Sequence, residues 1–318
     1  MLVTRGACAA ALPPVALTIG NFDGVHKGHQ AILDRLRREA DGRSLVACVL
    51  TFEPHPREFF APQSAPTRLT SLREKLELLA AGGIARVHAQ RFSSTFAALP
   101  AETFVDQVLC RMLRARWVLI GDDFRFGTRR AGDVALLRAL GPRYGFDVAT
   151  VDTIALDGHR VSSSSVRDAL AAGDLARAEA LLGRPYSISG RVEHGNKLGR
   201  ELGFATANIQ LQHNRPPLMG IYAVRVHGID GPVRTSGGAP RDGVASLGVR
   251  PTIDSAGKAV LEVHLFEFPG ELYRKHLRVD FLHKIRDEQK YPNLDALRAQ
   301  IARDCEAARQ YLAEHRNG

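Results

Sequence analysis

The sequence predicts an α/β half built on a parallel sheet, followed by an all-β half, an antiparallel barrel or sandwich that ends in a helix. Three observations carry that prediction. Short apolar, β-rich runs alternate with longer helical patterns as far as residue 182, which is how a parallel sheet covered by helices reads. After Gly183-Arg184-Pro185 the texture changes to short alternating runs between Gly and Pro clusters. The length of 318 residues accommodates two cores, at roughly 100 to 200 residues per domain. The expected domains are therefore 1–184 and 185–318.

Each element follows from its pattern. Residues 15–20 read as the first strand and 29–40 as the first helix, where Ile32, Leu33 and Leu36 share one face and Gly42 closes the run. Residues 44–52 are nearly all apolar and read as a strand buried on both faces. The helix predicted over 71–81 opens with the Ser71 to Glu74 capping-box spacing. Strands over 84–90, 117–121 and 147–154 follow, with helices over 101–114 and 132–140 between them. Two short helices, 164–172 and 175–182, precede the boundary. Beyond it, 222–226, 244–247 and 260–266 alternate as half-buried strands. Asn293 is the expected N-cap of a last helix in which Leu294, Leu297, Ile301 and Cys305 recur over about three turns.

Charge and composition exclude several classes. The chain carries 43 Lys and Arg against 34 Asp and Glu, a net charge of +9, so the first partner class to weigh is a polyanion or a phosphate-rich ligand. Residues 1–185 hold 24 basic and 19 acidic side chains, and residues 186–318 hold 19 and 15. Neither half is a basic tail, and no nucleic-acid stripe is visible. Pro or charge interrupts every apolar stretch short of the roughly 18 residues that a membrane span needs. Arg5 and the apolar residues 7–12 have a faint leader-peptide pattern, but Pro13 and Pro14 break it and 15–19 continues as a buried strand would. Cys8, Cys48, Cys110 and Cys305 form no paired metal spacing and read as reduced packing thiols of a cytoplasmic protein.

The most informative segment is Gly20-Asn21-Phe22-Asp23-Gly24-Val25-His26-Lys27-Gly28-His29, where a strand ends in a glycine-containing turn and a helix begins. Unpaired backbone N–H groups and the positive end of the helix dipole make such a turn an anion site. His26 and His29 straddle Gly28, so both imidazoles can donate to phosphate oxygens and stabilise charge at a reacting phosphorus. The alternative is that one of them simply caps the helix. The run Ser162, Ser163, Ser164, Ser165 with Arg167 offers a second phosphate site, or ordinary capping beside an exposed arginine. By pattern alone Asp123 reads as a solvated loop carboxylate.

In the second half, residues 190–208 hold a Gly-rich, basic segment without the spacing of a Walker motif, so a flexible hairpin is an equal reading. On the run Leu261-Glu262-Val263-His264-Leu265, alternation puts Glu262 and His264 on one face. If that face lines a pocket, Glu262 can take a proton from an attacking alcohol; pattern alone favours a solvent-facing strand edge.

Taken together these pieces resemble the bacterial bifunctional riboflavin kinase/FAD synthetase family. The His-x-Gly-His segment with its leading Gly-Asn-Phe-Asp-Gly-Val is similar to that family's nucleotidyltransferase signature. Residues 51–56 (Thr-Phe-Glu-Pro-His-Pro), 121–127 (Gly-Asp-Asp-Phe-Arg-Phe-Gly), the serine run and the segment ending Leu-Gly-Phe-Ala-Thr-Ala-Asn at Asn208 follow in the family's order. Residues 220–223, 248–252 and 277–286 match as well.

The resemblance implies an N-terminal Rossmann-like nucleotidyltransferase sheet and a C-terminal riboflavin-kinase β-barrel with a terminal helix. It implies phosphorylation of riboflavin to FMN by the second half and adenylylation of FMN to FAD with release of pyrophosphate by the first, with ATP as co-substrate and Mg²⁺ as cofactor. His26 and His29 then serve catalysis, and Gly20, Asn21, Phe22, Asp23, Gly28, Ser162, Ser163, Ser164 and Arg167 hold ATP phosphates, with Asp123 on the flavin. In the kinase, Glu262 is the base for the 5′-hydroxyl of riboflavin. Gly195, Lys197, Gly203, Thr206 and Asn208 bind ATP, the last two also the metal. Small molecules are the expected partners, without nucleic acid or membrane; an oligomer is possible. Ala205 stands where the family has proline, Arg274 where it commonly has glycine, Ser164 where threonine is common and Ser246 where asparagine is common. The departures at Ala205 and Arg274 leave open an enzyme with FAD synthesis alone, and a flavin-binding regulator or RNA-binding module is a rival that the retained His26, His29, Thr206 and Glu262 oppose.

Overall fold

The computed structural model describes residues 1–6, 12–151, 155–156, 158–194, 203–212, 215–231, 239–249 and 259–315. Cys8, residues 152–154 of the predicted strand, Gly195, Lys197 and residues 250–252 lie outside them. The chain divides into two compact units, one of residues 1–66 with 72–162 and the other of residues 67–71 with 163–318.

The first unit is a six-stranded parallel sheet in the order β1-β4-β3-β2-β5-β6. Its strands are β1 (Leu2–Thr4), β2 (Val15–Ile19), β3 (Val46–Glu53), β4 (Arg86–Arg91), β5 (Ala115–Gly121) and β6 (Asp147–Val151). Strand β2 is buried along its whole length. Its side chains alternate between two cores: Val15, Leu17 and Ile19 pack with Leu50, Val118, Leu109 and Leu137, whereas Ala16 packs on the other face with Val49, Leu119, Leu33 and Leu36. Helices on both faces of one sheet explain why its central strands read as unbroken apolar runs.

Helix α1 (Lys27–Gly42) begins two residues before the predicted start, because His26 rather than a later residue caps it. Two short helices, α2 (Pro56–Phe60) and α4 (Ser94–Ala97), flank the predicted α3 (Leu72–Ala81). The single helix predicted over 101–114 is instead α5 (Ala101–Phe104) running into a π-helix, Val105–Met112. The wide turn is visible in the bond from Leu113 N–H to Val108 O at 3.1 Å. Helix α6 (Val134–Tyr144) continues past Pro142 and stops at Gly145, with Asp133 as its N-cap. A small hairpin, β7 (Ala155–Leu156) with β8 (His159–Arg160), closes the unit.

In the second unit, α7 (Ser163–Ala171) and α8 (Leu175–Leu182) precede a closed antiparallel barrel ordered β10-β13-β12-β11-β14-β9. The strands are β9 (Tyr186–Glu193), β10 (Ala207–Ile209), β11 (Gly220–His227), β12 (Arg241–Val249), β13 (Ala259–Leu265) and β14 (His276–Arg286). Pairing of β9 with β10 closes the ring, so the sandwich alternative falls and β13 has no free edge. Helix α9 (Leu294–Glu314) lies on the barrel, burying Cys305, Ala308 and Leu312 against Ile221, Ala223 and Val244.

Candidate active sites

The first site forms where β2 ends. Strands β3 and β5 flank β2 on either side, so the loop after Ile19 emerges at the point where the strand order reverses, the usual ligand position of such sheets. The loop has a constrained backbone: Phe22, Gly24 and Val25 have φ of 49°, 80° and 41°. For Phe22 and the β-branched Val25 this left-handed region is costly, and the cost is tolerated because both side chains are sunk in the core. Asp23 and His26 are buried with them.

His26 is the N-cap of α1. Its Nδ1 accepts the backbone N–H of His29 at 3.3 Å, and the two imidazoles stack with centroids 3.7 Å apart. Gly28 makes this possible, since a Cβ there would lie 3.1 Å from His26 Nδ1. The His29 ring also meets Phe22 at 4.9 Å. Burial above all, then the charges of His26 and Lys75, hold the His29 imidazole well below its ordinary pKa, so it is neutral at pH 7. His29 Nδ1 and Asn21 Oδ1 are buried polar atoms without a hydrogen-bond partner. At an anion-type turn the unpartnered His29 Nδ1 is the atom of the two that suits a phosphate oxygen.

Sequence reasoning assigned no role to two neighbours of this loop. Thr51 donates from Oγ1 to the Asn21 carbonyl at 3.2 Å, and the buried Lys75 on α3 places its Nζ 3.5 Å from the same hydroxyl. A lysine inside an amphipathic helical pattern gives no signal of its own. A chain of aromatic rings was missed too. Phe92 meets Phe52, Phe59, Phe60 and Phe96 at 5.5–5.8 Å, and Phe60 is 67% exposed. Phe52 and Phe92 stand at the carboxyl-terminal ends of β3 and β4.

The second site is a cavity of about 370 Å³ in the barrel unit. Thr206, Asn208, Ser246, Glu262 and His264 line it from the barrel, and Leu297, Ile301 and Asp304 from α9. The burial of β13 alternates strictly, with Leu261, Val263 and Leu265 buried and Glu262 and His264 partly exposed between them. Glu262 stands opposite Asn208 on β10 and Ser246 on β12. The polar face predicted from alternation therefore borders a pocket rather than an open edge. His264 donates from Nδ1 to the Ala205 carbonyl at 2.9 Å, which ties that segment to β13.

Comparison with known proteins decides the family. Models described as FAD synthetase and riboflavin kinase match residues 8–165 and 182–312. Bifunctional riboflavin kinase/FMN adenylyltransferases of Escherichia coli K12 and Pseudomonas fluorescens are 48% and 49% identical over 296 residues, covering 93% of this chain and 92% of theirs. The chain belongs to the bifunctional riboflavin kinase/FMN adenylyltransferase family. A solved structure named as a macrolide-efflux protein from Streptococcus pneumoniae is 28% identical with a TM-score of 0.81, covering 97% of this chain and 99% of that one. Among the described residues no helix is long and apolar enough to cross a membrane.

A riboflavin kinase/FMN adenylyltransferase phosphorylates riboflavin to FMN and adenylylates FMN to FAD, with ATP as co-substrate of both steps. The residues that the sequence singled out in this enzyme fall in separate places. Asn21, Phe22, Asp23, His26, Gly28 and His29 come together after Gly20. Asp123 pairs with Arg160 at 3.0 Å on the surface of the same unit. Ser162 ends the first unit, while Ser163 and Ser164 open α7 in the second. There Arg167 donates from Nε to the Thr67 carbonyl at 2.5 Å. In the kinase, Gly203 adopts φ of 89° beside Thr206 and Asn208. Arg274 has φ of 64°, the left-handed region that glycine adopts without strain.

Proposed function

We propose that the two described sites carry the two half-reactions, with the division of activities at 184/185. In the adenylyltransferase, a phosphate oxygen of FMN attacks the α-phosphorus of ATP and pyrophosphate leaves, so no protein nucleophile is needed. His26 and His29 donate to the oxygens on which charge builds, and neutral His29 serves as a hydrogen-bond donor rather than a cation. Gly20, Asn21, Phe22, Asp23, Gly28, Ser162, Ser163, Ser164 and Arg167 hold the nucleotide phosphates. The exposed rings around Phe92 offer a platform for the planar flavin, and Asp123 serves its polar edge.

In the kinase, Glu262 takes the proton of the riboflavin 5′-hydroxyl as its oxygen attacks the γ-phosphorus of ATP, and ADP leaves. The observation that carries this reading is the register that sets Glu262 between Asn208 and Ser246 in a cavity large enough to hold a small planar ligand. Thr206 and Asn208 offer side-chain oxygens on that wall, a donor set that suits Mg²⁺ shared with substrate phosphates. When bound, Mg²⁺ neutralises phosphate charge in both steps. Gly195 and Lys197 complete the nucleotide contacts. The enzyme is cytoplasmic and takes no nucleic-acid partner.

Incubation with riboflavin and ATP, followed by chromatographic separation of riboflavin, FMN and FAD, tests the metal requirement. FMN and then FAD are expected with Mg²⁺, and neither after chelation. Unchanged conversion in excess chelator would remove Mg²⁺ from the scheme.

A further inference from the structure

Helix α9 forms one wall of the kinase cavity, and the half of it that borders the cavity is only partly buried, with Ile301 packed against the barrel core. Its buried residues are Asp304, Cys305, Ala308 and Leu312, all in the second half of the helix. Leu297 and Ile301 reach the cavity from the first half, and Leu294 at its start is exposed. The position of that wall is therefore set at the residue where burial begins, Asp304.

Asp304 meets Arg286, the last residue of β14, in a two-pronged ion pair. Nη2 lies 2.6 Å from Oδ2 and Nε lies 2.8 Å from Oδ1, with the side chains 17% and 5% exposed. Such a fork fixes direction as well as distance. Both partners are held by third groups. Gln300 donates to Asp304 Oδ1 at 2.8 Å, and Arg286 donates from Nη1 to the Asp287 carbonyl at 2.9 Å. On the barrel side, Glu288 packs against the Gly248 backbone so closely that a Cβ at Gly248 would overlap its carboxylate. The strand end carrying Arg286 is thereby fixed to β12.

We infer that Arg286 and Asp304 are positioning residues for riboflavin phosphorylation: their pair holds the first half of α9 against the barrel and sets the width of the pocket that receives riboflavin. Both side chains also line the cavity, where they act by holding its α9 wall and not on the reacting atoms. Loss of the pair lets the α9 wall drift and weakens capture of riboflavin, while Glu262 keeps its place on β13. The inference rests on the assignment of this cavity to the kinase reaction.

The test uses the full-length enzyme and measures riboflavin phosphorylation against riboflavin concentration. Arg286→Met and Asp304→Asn are expected to raise KM for riboflavin about tenfold or more with kcat within about threefold of the parent. Arg286→Lys, which keeps the charge without the fork, falls between. The double variant Arg286→Met with Asp304→Leu removes both buried charges and so separates folding from positioning. It is expected to melt near the parent and still show the raised KM. A parental KM in that double variant, or a loss confined to kcat, overturns the inference. Conversion of supplied FMN to FAD reports folding of the rest of the chain. Glu262→Gln, assayed alongside, isolates the underlying assignment: if it phosphorylates riboflavin at the parental rate, the cavity is not the kinase site and the inference falls with it.

Discussion

His26 and His29 are joined twice, by the bond from the His29 backbone N–H to His26 Nδ1 at 3.3 Å and by stacking of their rings at 3.7 Å. Because Nδ1 accepts, a neutral His26 carries its proton on Nε2. His26 is thus a helix cap and a hydrogen-bond donor at once, and the two roles separate by substitution. His26→Ala should cost about 1 kcal/mol through the lost cap, whereas His26→Asn, a capping residue, should not. Both should slow FAD formation about 100-fold or more, since both lack the imidazole donor. His29→Ala, which removes no cap, should let FMN accumulate without FAD. Thermal melts and flavin chromatography read the two roles, and parental FAD synthesis by His29→Ala would falsify its assignment.

Glu262 faces Asn208 on one neighbouring strand and Ser246 on the other. As general base it should be worth about 10²- to 10⁴-fold, so Glu262→Gln should nearly abolish FMN formation from riboflavin. The same variant should convert supplied FMN to FAD at the parental rate, because the adenylyltransferase loop lies in the other unit. Full kinase activity in Glu262→Gln would remove the carboxylate from proton transfer.

Much of this was legible in the sequence, for physical reasons that differ by residue. The run from Val15 to Ile19 announced a buried strand and is buried along its whole length, and alternation alone placed Glu262 and His264 on one side of β13. What remained hidden depends on partners distant in the chain. Strand β1 is three residues long and exists through its pairing with β4. Barrel closure rests on Asn208 opposite Glu193, a pairing that no local pattern encodes. Lys75 reaches the Asn21 loop only after α3 folds over β3, and Arg286 reads as a surface charge until Asp304 is laid against it. Family resemblance supplied what residue chemistry left open, above all that the polar face of β13 was worth a pocket.

Two histidines of the first unit make its stability depend on pH. Burial dominates in holding both His29 and His88 below their ordinary pKa, and His88 is also tied to Thr4 at 2.9 Å and Gln90 at 3.2 Å. The folded state keeps both neutral while the unfolded chain protonates below about pH 6.5. Stability is therefore full above that pH and is lost as pH falls towards the folded pKa values, at about 1.4 kcal/mol per pH unit and histidine. The melting transition of this unit should drop between pH 7 and about pH 5, and His88→Gln should flatten the dependence. A transition insensitive to pH over that range would contradict the buried neutral state.

Among the described residues, the thiols of Cys48, Cys110 and Cys305 should be poorly reactive in the folded enzyme. Burial pushes Cys110 and Cys305 up to about 11, and Cys48 is fully buried in the sheet. At pH 8 these two sulfurs are almost wholly protonated and poor nucleophiles. A thiol reagent should label Cys305 only on the timescale of unfolding, with Cys110, which is partly exposed, the faster of the pair. Mass mapping of labelled peptides checks the order, and rapid labelling of Cys305 would mean that α9 opens readily.

Arg274 carries a strain that glycine would relieve. Its φ of 64° costs an L side chain roughly 1–2 kcal/mol, and its backbone N–H donates to the Val192 carbonyl at 3.1 Å, a bond that any residue but proline retains. Arg274→Gly removes the strain but adds freedom to the unfolded chain, which returns about 0.5–1 kcal/mol. The net expectation is a gain of up to about 1 kcal/mol, a rise of a few degrees in the melting temperature of the barrel unit. Arg274→Val, β-branched at the same φ, should move the other way. Riboflavin phosphorylation should change little in either, since Arg274 does not line the cavity. A fall in melting temperature for Arg274→Gly would show that contacts of the arginine side chain outweigh its backbone strain, and that the departure from glycine is a stabilising one.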